Sequence, residues 1–445
     1  MSGKSVFSTA LLCLLLAIWV FPLLSHSFEL VKDKPLQGYY VGSADTVLTP
    51  ENWFEGRYAP VKEKYLNEHF GFRSECVRIR NQFYYSAFNK IFSNDVILGK
   101  EGYLYEYKYV TSYAGRDYLG DNQTDLRFEK LKSVQDSLAK RGVTLVLILA
   151  PGKVSYLPEY LPDSCNFVSI NTNYSRHALD AKKYGINHID MCKWFLGMKQ
   201  QTPYPLYPKT ATHWSVYARY LALDSINRYV EKKTGRHIPQ YKITSIRSSE
   251  KPEWRDKDIE FSINLLFDLP AFRLAYPVIE WQDTSGAFRP RVLTVGDSYY
   301  GSLQYLDVLE RAYSHPEFWP YNRGAETFPA TSFTDTWQLD LKASVEQKDL
   351  IFIMATESNL RNTGWDFIEQ LYDMYKAGPE GYPALQASRK KRTEMALIIT
   401  DMTTDSKWLS AIKNFAANNH ISLDSALQRS AGSIYSDRHR NDQSR

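Results

Sequence analysis

Residues Val143-Thr-Leu-Val-Leu-Ile-Leu-Ala150 form an apolar run broken only by Thr144 and stopped abruptly by Pro151-Gly-Lys153. A strand with one face in water alternates apolar and polar side chains. A run that is apolar on both faces suits a strand covered on both sides, as in a parallel sheet between helices. Two further stretches repeat the pattern. Val292, Leu293 and Val295 lead into Gly296-Asp297, and Asp349-Leu-Ile-Phe-Ile-Met-Ala355 leads into Thr356-Glu-Ser-Asn359. Ile186–Asp190 reads as a shorter strand. Between the strands the apolar spacing is helical: Leu126 to Lys140 before Arg141-Gly142, Asn173 to Lys183, Ser215 to Tyr229, and Trp365 to Tyr375. This alternation predicts an α/β fold, an open and mostly parallel sheet with flanking helices.

The chain's 445 residues can hold one large α/β domain with appendages, or two domains. Its net charge of +4 is small for this size and forms no basic stripe, which argues against a nucleic-acid partner. The four cysteines include no C-x-x-C pair, which argues against a zinc site or a thioredoxin motif. No metal and no cofactor is expected. Cys165 and Cys192 as a disulfide, leaving Cys76 free, and unpaired thiols throughout are equally open readings. Aromatic residues make up 14% of the chain, with 32 Tyr and 10 Trp; such residues suit sugar-binding clefts and ordinary cores alike.

Val6 to Leu24 is almost wholly apolar and approaches the ~20 residues needed to span a bilayer. Lys4 precedes it and no Ala-x-Ala pattern follows, so residues 1–27 read as an uncleaved signal anchor rather than a removed signal peptide. Residues 28–50 read as a linker. Helical spacing over Asn52 to Phe92 is interrupted at Phe70-Gly-Phe-Arg73. The main domain is assigned to residues 51–377, and 378–445 to a small helical appendage. There the Pro/Gly pair at 378–379 marks a linker, and the basic run Arg389-Lys-Lys-Arg392 reads as a solvated face.

In an open parallel sheet, ligands bind beyond the carboxyl ends of the strands. Three such ends carry polar residues: Pro151-Gly-Lys153, Gly296-Asp-Ser298 and Glu357-Ser-Asn359. Ser298 sits at a strand-to-helix turn, where a serine can cap the helix or present a nucleophile at a helix N-terminus. His213, on the loop entering the helix that begins near Ser215, is the candidate base, because imidazole accepts a serine proton near neutral pH. The Tyr299 N–H and the Asn359 side chain are candidates for an oxyanion hole. Asp297 is assigned to structuring the turn, and Lys153 and Trp214 to substrate contact. The constellation describes acyl transfer or ester hydrolysis.

Gly296-Asp-Ser-Tyr299, together with Lys209-Thr-Ala-Thr-His-Trp-Ser215, resembles the SGNH-hydrolase-like O-acetyltransferases of bacterial exopolysaccharides, periplasmic alginate O-acetyltransferase proteins among them. Asn52-Trp-Phe-Glu-Gly, Asn67 to Arg73, Leu98 to Tyr105, Ala150-Pro-Gly-Lys153 with Tyr156 to Pro162, and Thr356 to Leu360 look like the same family, so the resemblance covers roughly residues 50–375. It implies an SGNH-like fold and a periplasmic enzyme anchored to the inner membrane. It also implies a polysaccharide acceptor, and a membrane-bound O-acyltransferase partner that brings acetyl groups across. Residue by residue, it makes Ser298 the nucleophile and His213 the base. One position departs from the pattern: the alginate proteins carry Asp two residues before the histidine, and this chain has Ala211. Losing an orienting carboxylate costs up to ~10⁴-fold in rate in serine hydrolases. Asp190 and Glu357, both at strand ends, are the candidate substitutes. Two other readings use the same residues: a carbohydrate esterase or deacetylase with water as acceptor, and a catalytically weak glycan-binding scaffold subunit, which Ala211 motivates.

Overall fold

A computed structural model describes residues 3–28, 34–38, 42–93, 95–165, 167, 171–270, 272–282, 285–327 and 333–440. The chain divides into two compact units, Met1–Leu98 with Lys257–Pro270, and Gly99–Asp256 with Ala271–Arg445. In the first unit the described helices are Gly3–Phe28, Pro50–Phe54, Tyr58–His69, Arg73–Phe88 and Asp258–Ser262. The interruption at Phe70–Arg73 is real: Phe72 takes φ 65°, a left-handed conformation that no helix continues through. The apolar N-terminal run does form a helix, with Phe7, Leu11, Leu15 and Trp19 exposed on it. Among the described residues no helix is long and apolar enough to cross a membrane, so the anchor expected over residues 1–27 is not shown. Part of the linker expected at 28–50 lies outside the described residues.

The second unit is built on a seven-stranded sheet. Its strands are β1 (Thr144–Ala150), β2 (His188–Asp190), β3 (Arg291–Gly296), β4 (Ser314–Pro320), β5 (Gly324–Thr327), β6 (Phe333–Asp335) and β7 (Leu350–Thr356). Their spatial order is β6-β5-β4-β3-β7-β1-β2. The five strands from β4 to β2 are parallel, and β5 and β6 add an antiparallel edge. β1 and β7 are buried on both faces, as their composition requires. Leu145, Leu147 and Leu149 pack with Ile351, Ile353, Leu293 and Val295 in one core with Phe128, Leu131 and Leu138 of the helix Asp121–Ala139. Burying each such side chain contributes ~2 kcal/mol. The register pairs Gly296 with Met354 and Thr356 with Ala150. The turns after β3, β7 and β1 therefore leave from one edge of the sheet.

The C-terminal segment departs from expectation. No long linker separates it from the domain: the segment Phe367–Thr404 is helical on both sides of Gly378, whose φ of 65° breaks it into two helical stretches. Glycine enters that region without a Cβ penalty, and Pro379 then suits the first turn of the next helical stretch. Leu385 joins the sheet's core. Arg389 is buried, its Nε donating to Gln370 Oε1 at 2.8 Å and its Nη1 to the Leu339 carbonyl at 2.5 Å. Burial pushes its guanidinium down to about 10. Arg392 pairs with Asp366 at 2.9 Å and Asp373 at 2.8 Å. These two ends of the basic run are structural, because their partners come from the start of the helical segment before the kink, at Asp366, Gln370 and Asp373, and from the Leu339 carbonyl. Helices Ser406–Asn418 and Leu423–Arg438 close a small core around Ile398, Met402, Ile412 and Leu427. All four cysteines are free thiols.

Candidate active site

β3 ends at Gly296, and the helix Ser298–Leu303 begins two residues later. Asp297 makes this turn possible. Its fully buried carboxylate accepts from the Tyr299 N–H at 3.0 Å, capping the helix. The other oxygen accepts from the Thr356 N–H at 2.8 Å, the Thr356 hydroxyl at 2.7 Å and Asn359 Nδ2 at 2.8 Å. Asp297 thus fastens the β3 turn to the β7 turn, and the donors replace the water that a buried carboxylate loses.

Ser298 Oγ lies 2.9 Å from His213 Nε2. Helix Val216–Thr234 is capped by Ser215, whose Oγ accepts from the Ala218 N–H, so His213 stands just ahead of a fixed helix start. The loop before that helix is joined to the serine helix at consecutive residues. The Tyr299 hydroxyl donates to the Thr212 carbonyl at 2.7 Å, His213 meets Ser298, and Trp214 Nε1 donates to Ser302 Oγ at 2.7 Å. Ser298 can pass its proton to His213 only when Nε2 is the unprotonated ring nitrogen.

Several residues sit elsewhere than the sequence suggested. Lys153 does not face a substrate: it is 2% exposed, and its ammonium donates to the carbonyls of Leu104, Lys209 and Ala211 at 2.7, 2.8 and 2.8 Å. Those bonds use all three ammonium hydrogens, two of them on the histidine loop. Trp214 is fully buried between the rings of Phe195 and Tyr299, so it packs the core rather than a ligand. The Tyr299 N–H is taken by Asp297. Both amide hydrogens of Asn359 are spent inside the protein, on Asp297 and on Thr356 Oγ1 at 3.2 Å. Neither donor is left for an oxyanion, because the Asp297 carboxylate draws both. Asp190 caps the helix Met191–Met198 and accepts the Tyr174 hydroxyl at 3.0 Å. Glu357 accepts the Ser155 hydroxyl. Burial raises its carboxyl to about 7, opposed by Ser155 and the Gly152 N–H.

No motif or spacing in the sequence pointed to Tyr321. It follows β4 in a turn with φ 52°, and its N–H donates to the Gly296 carbonyl at 2.9 Å. Burial and the Asp297 carboxylate push its hydroxyl pKa up, while Lys108 and the neighbouring Ser298 pull it down. Lys108, 3.1 Å from Glu106, stands 5.4 Å from the Tyr109 ring centre. The β3–β4 pairing, with Gly296 opposite Pro320, brings Tyr321 to the end of β3, where Ser298 follows.

Known proteins are similar to parts of this chain. Residues 96–255 match the family described as the SGNH hydrolase-like domain of the acetyltransferase AlgX. A probable alginate O-acetylase, AlgJ of Pseudomonas syringae pv. tomato, is 27% identical over 139 residues, which are 31% of this chain and 34% of that protein. The match thus spans about a third of that relative's length. Among solved structures, the O-acetyltransferase domain of Pseudomonas putida AlgJ aligns with a TM-score of 0.43 at 17% identity, covering 66% of this chain and 99% of that one. Pseudomonas aeruginosa AlgX aligns at 0.39 and 13% identity, over 60% and 66%. The chain resembles the SGNH hydrolase-like acetyltransferase family over residues 96–255, a stretch that includes His213 and ends before Ser298.

Proposed function

We propose that this protein is an O-acetyltransferase that carries an acetyl group on Ser298 and passes it to a hydroxyl of an exported polysaccharide. The observation that carries the reading is the 2.9 Å approach of His213 Nε2 to Ser298 Oγ at the carboxyl edge of a parallel sheet. Ser298 Oγ attacks the carbonyl carbon of an acetyl ester or thioester while its proton moves to His213 Nε2. The tetrahedral intermediate collapses, the donor's alcohol or thiol leaves with that proton, and acetyl-Ser298 remains. A sugar hydroxyl then gives its proton to His213 and attacks the acetyl carbon. Collapse returns the proton to Ser298 and releases the sugar ester. Tyr321, whose N–H joins the Gly296 carbonyl two residues before Ser298, is the side chain suited to hold the developing negative charge. The resemblance over residues 96–255 supports acetyl transfer over other acyl chemistry.

The same reading has the helix Gly3–Phe28 anchoring the chain to the inner membrane, the rest lying in the periplasm, and a membrane-bound O-acyltransferase supplying acetyl groups. The apolar side chains exposed on that helix support the anchor. Alkaline carbonate extraction of membranes tests it: release into the supernatant counts against an anchor.

The catalytic test uses the full-length protein with a chromogenic acetyl ester and an oligosaccharide acceptor. Wild-type protein acquires one acetyl group on the peptide carrying Ser298 and yields acetylated sugar. Ser298→Ala and His213→Ala lose turnover by ~10³-fold or more. Full activity in both variants overturns the assignment, and release of acetate without transfer makes the protein an esterase.

A further inference from the structure

A cavity of about 360 Å³ opens beside the turns that follow β7 and β1, with Tyr113, Ser155, Thr172, Tyr174, Leu196 and Glu357 in its lining. A smaller one of about 170 Å³ adjoins it, the two sharing Tyr113 and Phe167. The Thr356 N–H, which binds Asp297, belongs to the last residue of β7, next to Glu357. Glu357 and Ser298 are therefore each one residue from the same hydrogen bond, on neighbouring strand ends. The cavity and the serine share one edge of the sheet.

The chemistry of the lining is selective. Two tyrosines and a leucine give apolar surface, and hydroxyls of Ser155 and Thr172 stand beside them. Glu357 is the one charged side chain among the described lining residues of the larger cavity. It is 6% exposed, and its Oε1 has no hydrogen-bond partner. The Cys192 thiol donates to the Leu149 carbonyl at 3.6 Å. Burial holds Glu357 at about 7, so near neutrality it is partly protonated and both donates and accepts, as a sugar hydroxyl does. In the smaller cavity Lys100 is tied to Asp163 at 2.6 Å, and Glu159 to Lys199 at 2.8 Å. The guanidinium of Arg116 is stacked 4.2 Å over Phe167.

We propose that the larger cavity is a subsite for an uncharged sugar ring of the acceptor polysaccharide, with Tyr113 and Tyr174 against the ring's apolar face and Glu357, Ser155 and Thr172 on its hydroxyls. This rests on the acetyl-transfer reading for its biological sense and adds the class of acceptor. A uronic acid is disfavoured because its carboxylate would enter a lining that holds, among the described residues, a buried acid and no cation.

The test is binding, measured by calorimetry on the full chain carrying Ser298→Ala, with oligomers of glucose, mannose, galactose and N-acetylglucosamine and with oligomannuronate. At least one neutral oligomer is expected to bind, and oligomannuronate about tenfold or more weaker. Leu196→Trp, which fills the cavity from a half-exposed position, is expected to weaken the neutral oligomer by about tenfold, with the thermal midpoint unchanged. Binding of none of the neutral oligomers, tighter binding of oligomannuronate, or no effect of Leu196→Trp overturns the proposal. Because Ser298 is already removed, this readout is independent of acyl chemistry. Loss of acetyl-Ser298 in wild-type protein refutes the catalytic reading alone, and loss of binding beside intact acetyl-Ser298 refutes the subsite alone.

Discussion

Lys153 Nζ donates a 2.8 Å hydrogen bond to the carbonyl oxygen of Ala211, two residues before His213. Two further bonds from the same ammonium, to Leu104 and Lys209, stitch the turn after β1 to the histidine loop. A buried cation with three carbonyls serves as a fixed post, and its effect on chemistry runs through the position of the imidazole. Lys153→Met leaves those carbonyls without their donor, which costs roughly 2–4 kcal/mol. We expect a lower thermal midpoint and kcat reduced about tenfold or more with KM little changed. A raised KM with unchanged kcat would instead mark Lys153 as a substrate contact.

Tyr321 is expected to act on the transition state. Tyr321→Phe keeps the ring against Trp365, 5.3 Å away, and removes only the hydroxyl beside Ser298. Loss of one oxyanion donor costs ~10²-fold in kcat. Single-turnover acetylation of Ser298 measures it, and an unchanged rate sinks the role.

Asp297 holds two strand ends together without a cation. In Asp297→Asn an amide NH₂ group meets the N–H and O–H donors of Tyr299, Thr356 and Asn359, so at least one donor is left facing a donor. We expect about 3 kcal/mol of lost stability, read from denaturant midpoints. Loss of activity without loss of stability would mean that Asp297 acts in the chemistry instead.

Glu357 makes stability depend on pH in a defined window. Its carboxyl is raised from the unfolded 4.5 to about 7, chiefly by burial. The folded state therefore binds the proton more tightly, and the stabilisation this brings is full below 4.5 and is lost as pH rises toward 7. Glu357→Gln, which keeps an acceptor for Ser155, removes this slope. The wild-type minus variant stability is expected to fall between pH 4.5 and 7 by on the order of 3 kcal/mol and to stay flat above that. A flat difference across the window would show a carboxyl that stays ionised.

The sequence by itself determined the α/β class, the buried strands and the turn that carries Ser298. These depend on short-range patterning: an apolar run covered on both faces, then a glycine and an aspartate that stop it. It also indicated His213 and Ser298, because motif residues keep their chemistry wherever the chain places them. Partners are another matter. That Lys153 is spent on carbonyls, that Asn359 holds Asp297, and that Arg389 is buried depend on contacts between residues 19 to 62 positions apart along the chain. A lysine or an asparagine reads the same in a sequence whether it meets ligand, solvent or backbone. Only the tertiary structure decided it, because a polar group taken out of water must find its partner in whatever the fold brings near.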